Sequence, residues 1–118
     1  MVTVADISTG LGLKVVTAGV SLERDVTGGY TSDLLSCVMA KAQTGNVWVT
    51  LQSHQNIVAV ASLLGLACII VTEGNEIEPG TVEKAEQESI PILCSPSDSF
   101  SIVERLIALG IHGNDRPK

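Results

Sequence analysis

The stretch Val47 to Val71, VWVTLQSHQNIVAVASLLGLACIIV, decides the fold. It divides into a short strand, a polar corner, a helix and a second strand. Val47-Trp48-Val49 is β-branched and aromatic, the composition of a strand buried on both faces of a parallel sheet. The apolar character then stops, and Thr50, Gln52, Ser53, His54, Gln55 and Asn56 follow. Ser53 is placed to cap a helix beginning near His54, its oxygen accepting a backbone N–H that has no partner within the helix. From Ile57 to Leu64 nearly every residue is apolar, which predicts a helix without a solvated stripe, covered by more than one neighbour. Gly65 ends that helix, and Leu66 to Val71 reads as a buried strand. The three elements form a βαβ unit.

The apolar tract Ile57 to Val71 is 15 residues long. That is shorter than the roughly 20 residues needed to cross a bilayer, and Gly65 interrupts it, so it is read as buried core. A chain of 118 residues is expected to form a single layered domain that buries about two-thirds of its unfolded surface. Its composition is 45% hydrophobic but only 3% aromatic, so the core is built of Val, Ile, Leu and Ala. The net charge is -6 and no cluster of Lys or Arg occurs, which argues against nucleic acid and anionic membrane as partners. Cys37, Cys68 and Cys94 lie far apart, without C-x-x-C or Cys/His spacing. They read as free thiols in a reducing cytoplasm, with no metal site. The N-terminus carries neither a basic n-region nor an apolar h-region, which fits a cytoplasmic protein.

Outward from the central unit, residues 2–10 predict a short helix with Val4 and Ile7 facing inward and Gly10 closing it, and Lys14 to Thr17 predicts a strand. Val26 opens a second extended piece that runs into Gly28-Gly29-Tyr30. Leu34, Leu35, Val38 and Met39 then recur at helical spacing, with Thr31 or Ser32 as cap and Asp33 in the first turn, where a carboxylate suits the helix dipole. Beyond Val71, a polar helix is expected over Thr81 to Ser89, with Val82 and Ala85 inward. Ile90 to Cys94 is a strand whose Pro91 belongs at an edge or a strand start. A last helix runs from Ser99 to Leu109 with Phe100, Val103, Leu106 and Ile107 as its apolar face, and Gly110 stops it. Residues 112–118 read as a frayed polar tail.

Strand and helix alternate at least three times, which predicts an α/β fold with a mostly parallel sheet and helices on both faces. Ligands in such sheets sit off the carboxyl ends of the strands. That rule selects the corners Gly28 to Asp33, Thr50 to Asn56 and Thr72 to Gly74. Gly28 and Gly29 can bring backbone N–H groups close to an anion, although tight turning alone would also explain them. The P-loop motif G-x-x-x-x-G-K-[ST] is absent, and Gly10 and Gly12 make no dinucleotide fingerprint because Val15 holds the third glycine position. Thr50, Gln52, Ser53, His54 and Asn56 offer more donors and acceptors than one helix cap needs. His54 has no neighbouring His and no G-x-S-x-G nucleophile, so it reads as a hydrogen-bonding corner residue or ligand contact rather than a catalytic base.

Across these residues the chain resembles the DRTGG-domain family. The matching stretches are Asp25-Val26-Thr27-Gly28-Gly29-Tyr30, Ser32-Asp33-Leu34-Leu35-Ser36, Val47-Trp48-Val49-Thr50, Gln52, His54, Asn56 to Ala61, and Ile90-Pro91-Ile92-Leu93. One position departs: Val26 stands where the family motif has Arg, and an apolar side chain cannot make that residue's forked hydrogen bonds. Arg24 compensates only if the backbone brings it to the same face. The resemblance implies a fold similar to the N-terminal domain of HPr kinase/phosphorylase, without its kinase domain. It also implies a regulatory or ligand-sensing role, since such domains occur beside CBS pairs, in some phosphotransacetylases and as small proteins near iron-hydrogenase genes.

The expectation is a non-catalytic module without cofactor that binds a small anionic or nucleotide-like ligand. Its contacts are drawn from Gly28, Gly29, Tyr30, Ser32, Asp33, Thr50, Gln52, His54 and Asn56. A homodimer is expected through the helix Ile57 to Leu64 or the face Leu34 to Met39. The alternatives are a protein-interaction subunit, for example in hydrogenase assembly or regulation, and an HPr-kinase-like phosphotransferase.

Overall fold

In the computed structural model, which describes residues 1–115, strands and helices alternate along the chain. The order is α1 (Val4–Leu11), β1 (Lys14–Val15), β2 (Gly28–Thr31), α2 (Leu35–Lys41), β3 (Asn46–Thr50), α3 (Asn56–Leu64), β4 (Cys68–Val71), α4 (Pro79–Glu88), β5 (Ile92–Cys94) and α5 (Ser99–Ala108). They form one five-stranded sheet in the order β1-β5-β4-β3-β2. β2, β3, β4 and β5 are mutually parallel, and β1 joins β5 antiparallel with Lys14 opposite Cys94. The α/β class and the mostly parallel sheet expected from the sequence are both present.

Strand order dictates where the helices go. The parallel strands follow one another across the sheet in chain order, and right-handed crossovers in one direction place their helices on one face. Accordingly α2, α3 and α4 share a face, where Val38, Ile57, Val58, Ala61 and Ala85 pack on Trp48, Ile69, Val71 and Ile92. Only α1 and α5 remain for the other face, where Val4, Ile7, Ile102 and Leu106 pack on Val47, Val49, Cys68, Ile70 and Leu93. Alternate residues of β3 and β4 therefore serve opposite cores, and both strands are buried throughout. Pro91 immediately precedes β5, which is flanked by β4 and β1, so the ring's missing N–H falls at a strand start.

Several local expectations change once partners are known. Helix α1 closes at Gly12 rather than Gly10, and Thr3 with Asp6 forms a capping box at its start. Helix α2 has Leu34 at its N-cap with no side-chain cap, and Leu34 and Met39 face outward while Val38 is buried. Helix α3 begins at Asn56. Ser53 does not cap it, and the Asn56 N–H is instead taken by Nδ1 of His54 at 3.2 Å. Gly65 closes α3 in the left-handed region, as expected. Yet α3 is not covered all round, because Ala59, Ser62 and Leu63 are exposed.

In α4, which starts at Pro79, Thr81 and Ala85 are buried rather than Val82 and Ala85. Thr81 turns inward because its hydroxyl donates to the Ser53 carbonyl at 2.8 Å. Helix α5 buries Ile102 and Leu106, and leaves Phe100 85% and Ile107 53% exposed. Asp98 caps α5 by accepting the Ser101 N–H at 2.8 Å. That N–H holds the Asp98 carboxyl below its ordinary range, as the Thr3 N–H does for Asp6. A lowered carboxyl favours the fold above its unfolded value, and acid removes the contribution as pH falls through the lowered one.

The polar tail is not frayed over its described part. The Gly29 N–H donates to the His112 carbonyl at 2.9 Å, and Gly29 pairs with Gly113 as an isolated parallel bridge on the outer edge of β2. Buried Asn46 accepts from Asn114 Nδ2 at 2.9 Å and from the Gln43 N–H at 2.9 Å. Ile111, only 4% exposed, anchors the segment in the core. The remaining tail residues, Arg116 to Lys118, lie outside the described residues. Gly28 is where this segment approaches most closely: a Cβ there would lie 2.9 Å from the His112 carbonyl oxygen. The glycine pair therefore lies within β2, where it admits the tail, and not at a tight turn or helix start.

Two outcomes follow from these packing relations. Trp48 is fully buried and its indole N–H donates to the Ser32 carbonyl at 2.9 Å. Trp48→Ala is expected to lower unfolding free energy by about 3–5 kcal/mol in a urea titration. Cys68 is fully buried, and burial pushes its thiol up to about 12, against a smaller opposing pull from Arg24. At pH 8 a thiol reagent is expected to leave Cys68 unmodified in the native protein and to label it in denaturant, while partly exposed Cys37 and Cys94 react in both. A thiol raised in this way favours the fold below its unfolded value near 9.0, and stability declines as pH climbs from there towards about 12.

Candidate functional site

The ends of β2, β3, β4 and β5 converge on a polar lattice. Asp33, just beyond β2, accepts from the Thr50 hydroxyl and the Leu51 N–H, each at 2.8 Å. Gln52 Nε2 donates to the Asp33 carbonyl at 3.0 Å, and the Gln52 N–H reaches Thr50 Oγ1 at 3.1 Å. The Thr72 N–H donates to the Thr50 carbonyl at 3.0 Å, and the Thr72 and Ser99 hydroxyls are 2.6 Å apart. Asn75 Nδ2 closes on the Leu51 carbonyl at 2.6 Å, and Thr81 holds Ser53. Each corner thus uses its neighbour's donors and acceptors, which are the groups a ligand would otherwise need.

Of the residues singled out in the sequence, Asp33, Thr50 and Gln52 belong to this lattice, and Ser32 lies beside it, its carbonyl accepting the Trp48 indole N–H. Asp33 belongs to the β3 corner and not to the first turn of α2, because its carboxylate faces the Thr50 hydroxyl across the sheet. Ser32 accepts the Leu34 N–H at 3.2 Å, a turn contact rather than a helix cap. His54 and Asn56 are exposed at the start of α3, and the Nδ1 of His54 is engaged by the Asn56 N–H. Gly28, Gly29 and Tyr30 lie in β2, away from that helix end. The nine residues therefore divide between the corner lattice with adjoining Ser32, the α3 start and strand β2.

Val26, at the motif position that departs, is 4% exposed in the α1 and α5 core, and its N–H donates to the Val2 carbonyl at 2.8 Å. Arg24 does not substitute for a motif arginine. Its guanidinium donates to the Ser89 carbonyl at the end of α4, where a cation suits the helix dipole.

A different concavity lies on the α5 face. Since two helices cannot cover what three cover on the opposite side, the β2 end of this face is left open. The result is a groove of about 700 Å³. Its floor is Gly29, Thr31 and Val49, its apolar wall is Val103, Leu106, Ile107 and Ile111, and the tail from His112 to Asp115 closes the far side. Lys41 and Gln43, from the end of α2 and the loop after it, complete the rim. Gly29 and Tyr30 are the sequence-selected residues that reach it. Ile107, His112 and Asn114 were not selected. Ile111 was the available signal, an isolated apolar residue in Gly110-Ile111-His112-Gly113 that marks a docked rather than a solvated tail.

Among the described residues, no group of three or more His, Cys, Asp or Glu is arranged to hold a metal ion. No helix among them is long and apolar enough to cross a membrane.

No curated protein sequence matches the chain. Its fold is similar to a solved structure described as the CBS and DRTGG domains of the regulatory region of Clostridium perfringens pyrophosphatase, complexed with the activator diadenosine tetraphosphate. The TM-score is 0.73 at 16% sequence identity, and the match covers 96% of this chain. This chain accounts for 51% of that one, about half its length. The family model for the DRTGG domain matches residues 6–109, almost the whole of the alternating strand and helix pattern, and the chain belongs to the DRTGG-domain family.

Proposed function

We propose that this chain is a non-catalytic regulatory module that senses a small anionic or nucleotide-like ligand, and that the ligand seats in the groove beside β2. The observation that carries this reading is the groove's make-up. An apolar wall of Val103, Leu106, Ile107 and Ile111 is joined in the lining by Lys41 and His112, in a volume of about 700 Å³. Small-molecule sites typically enclose about 300–1,000 Å³, are mostly apolar, and carry a few polar groups that fix orientation. A base or other flat apolar body suits Val49, Val103 and Ile107, and an anionic group suits the Lys41 side. The similar regulatory region from the pyrophosphatase, with its dinucleotide activator, supports a ligand of this class. The corner lattice fits a structural role better, since its polar groups are already paired.

Self-association fits the opposite face. Leu34, Met39 and Leu63 are 60%, 42% and 71% exposed on α2 and α3, which supports a homodimer seam there. The exposed row of Phe100 and Ile107 on α5 favours the second reading, a protein-interaction subunit.

The ligand reading is tested with diadenosine tetraphosphate and ATP as probes, by thermal shift and titration calorimetry. At about 100 times its dissociation constant a bound probe adds roughly 2.7 kcal/mol, a rise of several degrees in Tm for a domain of this size. Lys41→Glu is expected to abolish most of that rise and His54→Ala to leave it unchanged. The reverse pattern would move the site to the corners, and no shift with either probe would favour the interaction subunit. For the seam, Ala59→Glu is expected to halve the mass measured by light scattering. An unaltered mass would remove the α3 face.

A further inference from the structure

One wall of the groove is made of a segment with few attachments. From His112 onward, the described tail is held by the Gly29 N–H on the His112 carbonyl and by Asn114 Nδ2, on Asn46 Oδ1 at 2.9 Å and the Lys41 carbonyl at 3.5 Å. Its side chains add little burial, since Gly113 and Asp115 are exposed and His112 and Asn114 are half-buried. Each neutral hydrogen bond contributes only about 0.5–1.5 kcal/mol net, so a segment docked by so few is within reach of a ligand's influence. The same residues, His112 to Asp115, complete the groove. Lys41 belongs to both systems, lining the groove and receiving Asn114 on its carbonyl.

We infer that residues 112–115 act as a strap whose docking on the β2 edge is coupled to occupancy of the groove. This rests on the groove being the ligand site. With the strap docked, the groove has its far wall and binds; with the strap released, the wall is gone and affinity falls. A ligand that touches the strap then shifts the population towards the docked form, and its apparent affinity is scaled by the fraction already docked. Gly28 sets that fraction. It does not line the groove, and its backbone is ordinary extended strand; the tightest demand on it is room for the His112 carbonyl at 2.9 Å, followed by Asn114 Oδ1 at 3.2 Å and Asn46 Nδ2 at 3.3 Å.

Gly28→Ala tests the coupling, because the added Cβ meets a backbone oxygen at 2.9 Å and the strap must shift. The measurements are hydrogen exchange across residues 111–115 and the affinity for diadenosine tetraphosphate, in the unaltered chain and the variant. The expected result is faster strap exchange in the variant, a dissociation constant raised about fivefold or more, and restored protection at saturating probe. If the probe binds the unaltered chain but leaves strap exchange unchanged, the coupling is overturned and the groove reading stands. The same holds if Gly28→Ala frees the strap at unchanged affinity. If the probe does not bind the unaltered chain at all, both readings fall. Should Gly28→Ala not fold, the unaltered chain decides alone: protection of residues 111–115 that rises with probe occupancy supports the coupling, and exchange that does not respond to bound probe overturns it.

Discussion

Handedness of the strand crossovers is the constraint from which the rest follows. Four parallel strands laid side by side in chain order give three crossovers that all turn the same way, so their helices must share one face. The other face receives only α1 and α5, and the shortfall appears at the β2 edge, where a groove forms and the tail is drawn in. There is no reversal of order among the parallel strands, and hence no switch-point crevice of the kind that opens at strand ends in doubly wound sheets. The open surface of this protein comes from unequal helix coverage instead.

Hydrogen-bond satisfaction explains why the strand ends are closed. Buried polar groups at a corner must find partners, and here Thr50 and Thr72 find them on adjacent segments, Thr50 on the exposed Asp33 and Thr72 on the Thr50 carbonyl and Ser99, while exposed Asn75 ties the next loop to the Leu51 carbonyl. No buried side-chain nitrogen or oxygen among the described residues is left without a partner. A run of polar side chains after a strand can therefore be mortar between loops as readily as a ligand site.

The alternation of elements was legible because it is written locally. The run Val47 to Val71, the stop at Gly65 and the position of Pro91 each carry their meaning within a few residues. What was not legible depends on partners far along the chain. Asp33 has the sequence position of a first-turn carboxylate, and only the Thr50 hydroxyl across the sheet shows otherwise. Helix α5 offers two apolar rows, Phe100 with Ile107 and Ile102 with Leu106, and periodicity cannot say which one meets the sheet. The glycines of β2 suggested an anion or a turn, whereas their tightest neighbours are the His112 carbonyl and Asn114. Of the groove, only Gly29 and Tyr30 were selected as ligand contacts; Val103, Leu106 and Ile107 were legible as an apolar helix face but not as a groove wall, because the tail that completes the groove carries no periodic signal.

The parallel bridge between Gly29 and Gly113 has a consequence for how the molecule is made. Synthesis proceeds from the N-terminus, and a pairing between distant residues must await the later one while meeting the entropy of a long loop. The strands β2 to β5 can assemble through successive local crossovers as they leave the ribosome. The strap, by contrast, can be seated only after nearly all the described chain has emerged. A nascent chain halted after β5 would therefore carry most of the sheet and neither α5 nor the strap, so the groove is among the last features of the fold to come into existence.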